Sequence, residues 1–203
     1  MTDHTLVTCT AFEGVRRIAS GAHKDVAIVV KALIDRGEAA PVLIFDDETS
    51  RPVEFDLRGS VDDVAARLMS PAADEGSQGE NAQDASPRGR GRPKLGVVAR
   101  EVTLLPRHWE WLNGQSGGAS VALRKLVDAA RLASEDKDRM RHAQEATYRF
   151  MTAMAGNLPG YEEATRALYA SDRARFDDLT AVWPADVRDH ARKLSGAAFG
   201  EAI

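Results

Sequence analysis

The sequence predicts an α+β protein with three parts: a small unit at residues 1–70, a linker at 71–96 and a mostly helical module at 97–203. Two observations predict this order. Short β-branched strand-like runs fall mainly in the first 60 residues, whereas apolar residues recur at helical spacing after residue 118. With 43% hydrophobic and 29% charged residues, the 203-residue chain has enough apolar side chains to bury a core.

The N-terminal unit is predicted to have the order ββαββα, and its first half contains two strands and a helix. The runs "LVTCTAF" and "VRRIA" flank the turn residues Glu13 and Gly14, which is typical of a hairpin. Ser20 is a candidate N-cap and Gly37 a candidate end for the following helix. The apolar face of that helix consists of Val26, Val29, Val30 and Leu33.

The second half of this unit is predicted to contain a second strand pair and a short helix. "PVLIFD" and "VEFDLR" are separated by the turn-like "DDETSRP", which predicts two paired strands. Ser60 followed three residues later by Asp63 is similar to a capping box and predicts a helix start.

The linker and the C-terminal module differ sharply in composition. Residues 71–87, "PAADEGSQGENAQDASP", contain no large apolar side chain, which is typical of a flexible segment. "VVAREVTLL" then predicts a strand, and Pro106 begins a helix carrying Trp109 and Leu112. Of Trp109 and Trp111, which point in different directions on a helix, one is expected in the core.

The rest of the module is predicted to be helical. Ser120 is a candidate N-cap for a helix whose apolar stripe is Leu123, Leu126, Val127 and Ala130. The remainder is predicted to contain a helix through about Met154, and "GNLPG" breaks it. Three short helices are expected after that break, the last beginning near Pro184.

Charge is unevenly distributed along this acidic chain, whose formal net charge is -4. Residues 1–87 hold 8 Lys/Arg and 16 Asp/Glu, residues 88–133 hold 9 and 3, and residues 134–203 hold 10 and 12. The positive charge therefore lies in one basic block, residues 88–133. Such asymmetry indicates the kind of partner and not the fold.

The basic block begins with "RGRGRPK", a sequence suited to the minor groove of DNA. That groove is about 6 Å wide and presents only acceptors at A·T pairs, whereas G·C adds an amino donor. Gly91 has no side chain to strike the groove wall, and Pro93 biases Arg92 towards an extended backbone. Arg90 and Arg92 would donate to the groove floor, while Arg88 and Lys94 would contact phosphates.

"RGRP", residues 90–93, is the core of the AT-hook motif, and residues 88–94 resemble an AT-hook on both sides of that core. The resemblance implies A·T-rich DNA as a partner. Two alternatives stay open: a solvated cationic linker that binds nothing specific, and an adaptor whose basic linker contacts an acidic protein partner.

Residues 100–131, "REVTLLPRHWEWLNGQSGGASVALRKLVDAAR", resemble ribbon-helix-helix repressors. The resemblance implies a homodimer whose paired strands enter the major groove. The outward positions would be Arg100, Val102 and Leu104, and only Arg100 suits base reading. The alternative is a strand and two helices that pack within the C-terminal module. A dimer carrying two hooks would gain avidity.

No catalytic, metal or cofactor motif is found in the sequence. Asp138, His142 and Glu145 share a helix face, and in so charged a run they are expected to form a solvated, salt-bridged surface. Cys9, the single cysteine, is expected to be a buried small hydrophobe. We therefore expect no enzyme, no cofactor and no bound metal.

"IFDDETSRPVEFDLRG" together with residues 100–131 resembles the bacterial family catalogued as domain of unknown function 2239. That resemblance implies a bacterial protein and carries over no activity. No apolar run approaches the roughly 20 residues that a membrane-spanning helix needs, and the start has no signal-like segment. A cytoplasmic DNA-binding protein is therefore expected, with the effector or partner of the N-terminal unit unspecified.

Overall fold

The computed structural model describes residues 7–37, 40–69, 98 and 100–200. The chain divides into two compact units. The first, here called the sheet unit, combines Met1–Ala73 with Glu135–Ile203, and the second, the middle unit, is Asp74–Ser134. None of the helices in these described ranges is both long and apolar enough to cross a membrane.

The sheet unit contains an antiparallel three-stranded sheet in the order β2-β1-β3. β1 is Thr8–Glu13, β2 is Arg16–Ala22 and β3 is Val42–Asp46. A bulge between Ala11 and Phe12 interrupts the register of β1 with β2. Two helices, α1 (His23–Asp35) and α2 (Val61–Met69), belong to the same N-terminal part. The α+β class predicted from the sequence is confirmed.

The fourth strand predicted at "VEFDLR" does not form, and this prediction was wrong. Among the described residues after β3, the only ladder contact is an isolated bridge between Phe45 and Pro52. Val53, Phe55 and Leu57 nevertheless pack on the cluster of Cys9, Ala11, Val26, Val30 and Ile44. Alternating apolar residues indicate that one side of an extended segment packs against the protein. Here the segment packs on the core cluster without pairing along its length with a neighbouring strand.

Two of the predicted helix starts were also wrong, and one was confirmed. Ser20 lies within β2, where its hydroxyl is 2.9 Å from the Thr10 hydroxyl, and α1 begins after Ala22 instead. Ser120 lies inside a helix that already begins at Gly118. At α2, however, Ser60 Oγ accepts from the Asp63 N–H at 3.2 Å and Asp63 Oδ2 accepts from the Ser60 N–H at 2.8 Å. That reciprocal pair is a capping box.

The C-terminal helices form in the predicted order. In sequence they are α3 (Pro106–Asn113), α4 (Gly118–Ala155), α5 (Tyr161–Tyr169), α6 (Arg173–Thr180), α7 (Ala185–Ser195) and a 3-10 turn at Gly196–Phe199. α4 is the long helix of 38 residues predicted to reach about Met154. Gly160, at a φ of 74°, provides the left-handed residue that begins α5.

The main core of the sheet unit joins the two strands β1 and β3 to helices far along the chain. The Phe150 ring of α4 lies 5.4 Å from the Phe12 ring and 5.3 Å from the Phe45 ring. His190 of α7 stacks 4.6 Å from Phe150. Trp183 is buried beside them, and its indole N–H donates to the Pro159 carbonyl at 2.9 Å.

Candidate nucleic-acid interface

The AT-hook-like residues Arg88, Arg90, Gly91, Arg92, Pro93 and Lys94 lie outside the residues that the structure describes. Within the basic block the structure describes Val98 and the residues from Arg100 onward. These residues make up the short segment before α3, α3 itself and the first turns of α4.

The segment before α3 has a strand-like sequence, but its described residues do not form a strand. Residues 100–105 form no ladder with any other described residue, so the strand predicted at "VVAREVTLL" is absent from its described part. Arg100 is exposed there. A strand exists only when a neighbour accepts and donates its backbone hydrogen bonds, and a single chain offers this segment no described neighbour. We report Arg100 as an exposed cation beside α3.

Helix α3 and the start of α4 follow directly from local sequence. Pro106 occupies the first turn of α3, where a missing N–H costs nothing, and Leu105 before it has an extended backbone. Gly117, at a φ of 90°, makes the turn between the helices, and a Cβ there would lie 3.1 Å from the Val121 side chain. Pro106 and Gly117 therefore help to define two helices, α3 and α4, joined by a short turn. The remaining charged residues of the basic block lie on the surface of this segment.

The cations of this segment are exposed and unpaired. They are Arg100, Arg107, Arg124, Lys125 and Arg131. Within the described ranges none of the five forms an ion pair, although Glu101, Glu110 and Asp128 are in the same segment. Arg124 precedes Asp128 by four residues, which is the less favourable order for a helical ion pair.

Cations elsewhere on the same long helix and on the helices after it are mostly neutralised. Of the ten Lys and Arg residues between 135 and 200, eight pair with a carboxylate, and only Lys137 and Lys193 do not. On α4 itself, Arg141 pairs with Asp138 at 3.0 Å and Arg149 with Glu145 at 3.1 Å. The difference between the two parts of α4 is therefore one of charge balance and not of exposure alone.

The first half of α4 has a cationic side and an apolar side. At 3.6 residues per turn, Arg124 and Arg131 lie within about 20° of one another, and Lys125 about 100° to one side. The apolar stripe consists of Ala122, Leu123, Leu126, Val127 and Ala130. Its centre lies on the other side of the helix from the two arginines, but Val127 is only about 40–60° from them, at the border between the two sides.

Much of the apolar surface of the middle unit is exposed. Leu126 is 48% exposed, Val127 54% and Trp111 54%, and Trp109 is exposed as well. The expectation that one tryptophan would lie in the core was wrong; Leu112 is the buried residue of α3. Among the described residues of this unit only Leu112 and Ala122 are buried. A cluster of exposed apolar side chains of this kind is typical of a contact surface.

Cys9 and His190 of the sheet unit are buried rather than assembled into a site. Cys9 is fully buried, as predicted, and burial together with Asp47 and Asp46 raises the pKa of its thiol to about 11. His190 is 1% exposed, and neither ring nitrogen has a hydrogen-bond partner. Burial, followed by the charge of Lys193, lowers the pKa of His190 to about 4.

The charged face at Asp138, His142 and Glu145 is the solvated surface that the sequence predicts. Two of its carboxylates pair with arginines, Asp138 with Arg141 and Glu145 with Arg149. Within the ranges that the structure describes, no group of His, Cys, Asp and Glu side chains is arranged to hold a metal ion.

An open groove of about 690 Å³ is lined by Asp56, Arg58, Gly59, Asp63, Ala66 and Arg67. Asp56 pairs with both Arg58 and Arg67, and the hydrogen bonds from Arg58 hold the pKa of this carboxyl far below its usual range. Hydrogen bonds from Ser60 likewise lower the pKa of Asp63. Carboxylates held ionised in this way are poor proton donors and acceptors near neutral pH.

A model of the bacterial family described as uncharacterised protein conserved in bacteria, domain of unknown function 2239, matches residues 8–195. The chain belongs to this family. The match extends through both units, so family membership includes the sheet unit and the middle unit alike. No curated protein and no solved structure matches the chain. The family description assigns no activity, so a function can be proposed only from the residues of this chain.

Sequence reasoning missed Arg124, Lys125 and Arg131 as a distinct set, although a usable signal was present for the first two. A helical cation is best paired by a carboxylate three or four residues before it. Arg149 has Glu145 at that spacing and Arg141 has Asp138, whereas Arg124 and Lys125 have only uncharged residues there. Arg131 has Asp128 three residues before it, so the sequence does not mark it as a cation without an ion pair.

Proposed function

We propose that this protein is a DNA-binding protein, regulatory or architectural, that contacts A·T-rich minor grooves through residues 88–94. The observation that carries the proposal is the "RGRP" sequence at residues 90–93, placed at the start of the one basic block in an acidic chain. A·T-rich sequence narrows the minor groove and strengthens its negative potential, which favours inserted arginine. The proposal assigns no enzymatic activity and places the protein in the cytoplasm, with the bacterial chromosome.

The unpaired cations of the middle unit support an anionic partner. An arginine already paired with a carboxylate must lose that partner before it binds a phosphate, whereas Arg107, Arg124 and Arg131 have no carboxylate partner among the residues that the structure describes. A hook by itself makes few contacts and binds weakly. Added phosphate contacts would supply the salt-dependent affinity that most DNA-binding proteins need.

We further propose that the DNA-binding form is a homodimer joined through the middle unit. Its exposed apolar residues, Trp111, Leu126 and Val127, are the kind of surface that a second copy would cover. Residues 100–105 would gain an antiparallel neighbour in the same contact, because a two-fold axis pairs a segment with its own copy. Two hooks on one dimer would bind with avidity, since the second engagement becomes intramolecular.

The test is fluorescence anisotropy with an A·T-rich and a G·C-rich duplex of equal length, at two salt concentrations. The variant is Arg90→Ala with Arg92→Ala, and the matched control is Arg139→Ala with Arg141→Ala, which removes the same charge from ion-paired positions. We expect selective A·T binding that the hook variant loses and the control keeps. Equal affinity of wild type for both duplexes, or unchanged affinity in the hook variant, would contradict the proposal.

A protein-interaction adaptor is the second candidate, and the exposed side chains of Trp111, Leu126 and Val127 favour it. In that case the basic block would contact an acidic protein and DNA would play no part. A tagged chain should then retain its partner in a pull-down after nuclease treatment. A complex that disappears with nuclease would count against the adaptor and for DNA.

A further inference from the structure

We infer that Arg124, Lys125 and Arg131 of α4 form a phosphate-contacting face, here called the α4 cation face, that binds the DNA backbone separately from the hook. The inference rests on the proposed function, since it takes DNA as the partner. It assigns to described residues a part of the binding that the hook sequence does not predict.

The positive charge of these three residues is not neutralised by any residue that the structure describes. All three side chains are exposed, and none pairs with a carboxylate in the described ranges. Farther along the same helix, Arg139, Arg141 and Arg149 each pair with an acidic residue three or four positions away. Unneutralised cations next to one another repel, so their grouping costs stability unless an anion is bound.

The spacing of Arg124 and Arg131 along α4 is suited to a row of phosphates. Arg124 and Arg131 are seven residues apart, so they lie nearly in line and about 10 Å from each other along the helix axis. Duplex DNA carries one negative charge per roughly 1.7 Å of its axis, so a row of this length faces several phosphates. Because the three side chains belong to one helix, their spacing is set by the helix alone.

Most of the apolar stripe points away from the row of Arg124 and Arg131. Leu126 and Ala130 project from the other side of α4, whereas Val127 borders the two arginines. A second copy could therefore cover Leu126 and Ala130 while Arg124 and Arg131 stay free for phosphate. Asp128 is the one carboxylate between Arg124 and Arg131, and it would weaken the attraction for a phosphate backbone.

The experiment measures the salt dependence of DNA binding by the full chain. The test variant is Arg124→Ala, Lys125→Ala and Arg131→Ala together. The matched control is Lys137→Ala, Arg139→Ala and Arg141→Ala, which removes three cations from the same helix. Alanine favours the helix in both, and far-UV circular dichroism checks that helicity is kept.

We expect the test variant to lower the slope of log affinity against log salt by about 2 to 3, because each lost phosphate contact contributes about 0.9. The loss should be the same for A·T-rich and G·C-rich duplexes, because phosphates carry no sequence information. The control should change the slope by less than about 1, and Asp128→Asn should tighten binding to both duplexes.

The outcomes separate this inference from the hook. A test variant with the wild-type slope, or with no greater loss than the control, would overturn the α4 cation face even if A·T selectivity persists. If the test variant shows a weaker salt dependence of DNA affinity while the hook variant keeps its full preference for A·T-rich duplex, the hook proposal is contradicted and the α4 cation face is supported. Polyglutamate bound as tightly as duplex at equal salt, and lost in the test variant, would replace DNA with an acidic protein as the partner.

Discussion

Replacing His190 by leucine should stabilise the sheet unit and remove much of its sensitivity to mild acid. His190 lies in α7 against the Phe12 and Phe150 rings, 5.3 and 4.6 Å away, and is 1% exposed. Both ring nitrogens are buried without a hydrogen-bond partner. Lys193, Asp47 and Arg17 supply the charges that act on it, and burial is the largest influence on its pKa.

The expected magnitude at neutral pH comes from the unpartnered nitrogens. A buried polar atom left without a hydrogen bond costs about 1–3 kcal/mol. Leucine removes that cost but forfeits the ring contacts with Phe12 and Phe150, worth about 0.5–1.5 kcal/mol for an aromatic pair. We therefore expect His190→Leu to raise the free energy of unfolding by about 1 kcal/mol at pH 7.

Acid adds a second contribution whose sign follows from the lowered pKa. Folding lowers the pKa of His190 from 6.5 to about 4, so between these values the unfolded chain binds a proton that the folded chain does not. Stability is therefore intact above pH 6.5 and falls as the pH drops towards 4. At pH 4.5 this contribution is about 2.5 kcal/mol, and the leucine variant lacks it.

The assay is urea unfolding of wild type, His190→Leu and the exposed-site control His142→Leu at pH 7.0, 6.0, 5.0 and 4.5, followed by circular dichroism. Carboxylates titrate in all three proteins, so the difference between wild type and His190→Leu isolates His190. That difference should widen as the pH falls, and the control should track the wild type. A difference that stays constant with pH, or a leucine variant less stable than wild type at pH 7, would refute the reasoning.

Three further predictions concern the sheet unit. Cys9 should react with a thiol reagent at pH 8 at least about 100-fold more slowly in the folded than in the urea-unfolded chain, because its thiol is buried with a pKa of about 11; labelling at equal rates would show an accessible thiol. Trp183→Phe should lower the free energy of unfolding by about 1–2 kcal/mol by leaving the Pro159 carbonyl without its indole donor, and a neutral result in urea unfolding would mean that this bond contributes nothing. Gly160→Ala should cost about 1 kcal/mol because alanine is strained at a φ of 74°, with Gly114→Ala as a comparison at a position without positive φ where an added Cβ would lie no closer than 3.5 Å to its nearest neighbour; thermal unfolding that shows no cost at Gly160 would contradict the left-handed geometry.

The elements that could be predicted from sequence are those whose cause is local. The capping box of Ser60 and Asp63, the proline start of α3 and the break after α4 each depend on residues within a few positions of one another. The α+β class follows from the same kind of signal, because period-two and period-3.6 patterns are properties of short windows. The hook sequence is also local, and it remains a prediction from sequence.

Where sequence prediction erred, a local pattern was compatible with two tertiary arrangements. The alternating Val53, Phe55 and Leu57 are partly buried, as expected for one face of an extended segment, but the segment packs on the core instead of forming a strand of the sheet. Ser20 has the right residue type for a cap, yet its hydroxyl bonds across the hairpin to Thr10. In each case the residue type correctly indicated apolar packing or a hydrogen-bonding hydroxyl, but the part of the fold that the residue contacts was predicted wrongly.

Composition and local spacing determine the class of the fold, its helices, the basic block and the hook-like sequence in this protein, because each is written in adjacent residues. The tertiary structure alone decides that Phe12 and Phe45 share a core with Phe150 and His190, since contacts between residues so far apart leave no periodic trace in the chain. Among the described residues it also decides that Arg131 forms no ion pair although Asp128 stands three residues before it, whereas Arg141 pairs with Asp138 at the same spacing. Pairing with a carboxylate depends on distances between side-chain atoms, which residue spacing alone does not determine.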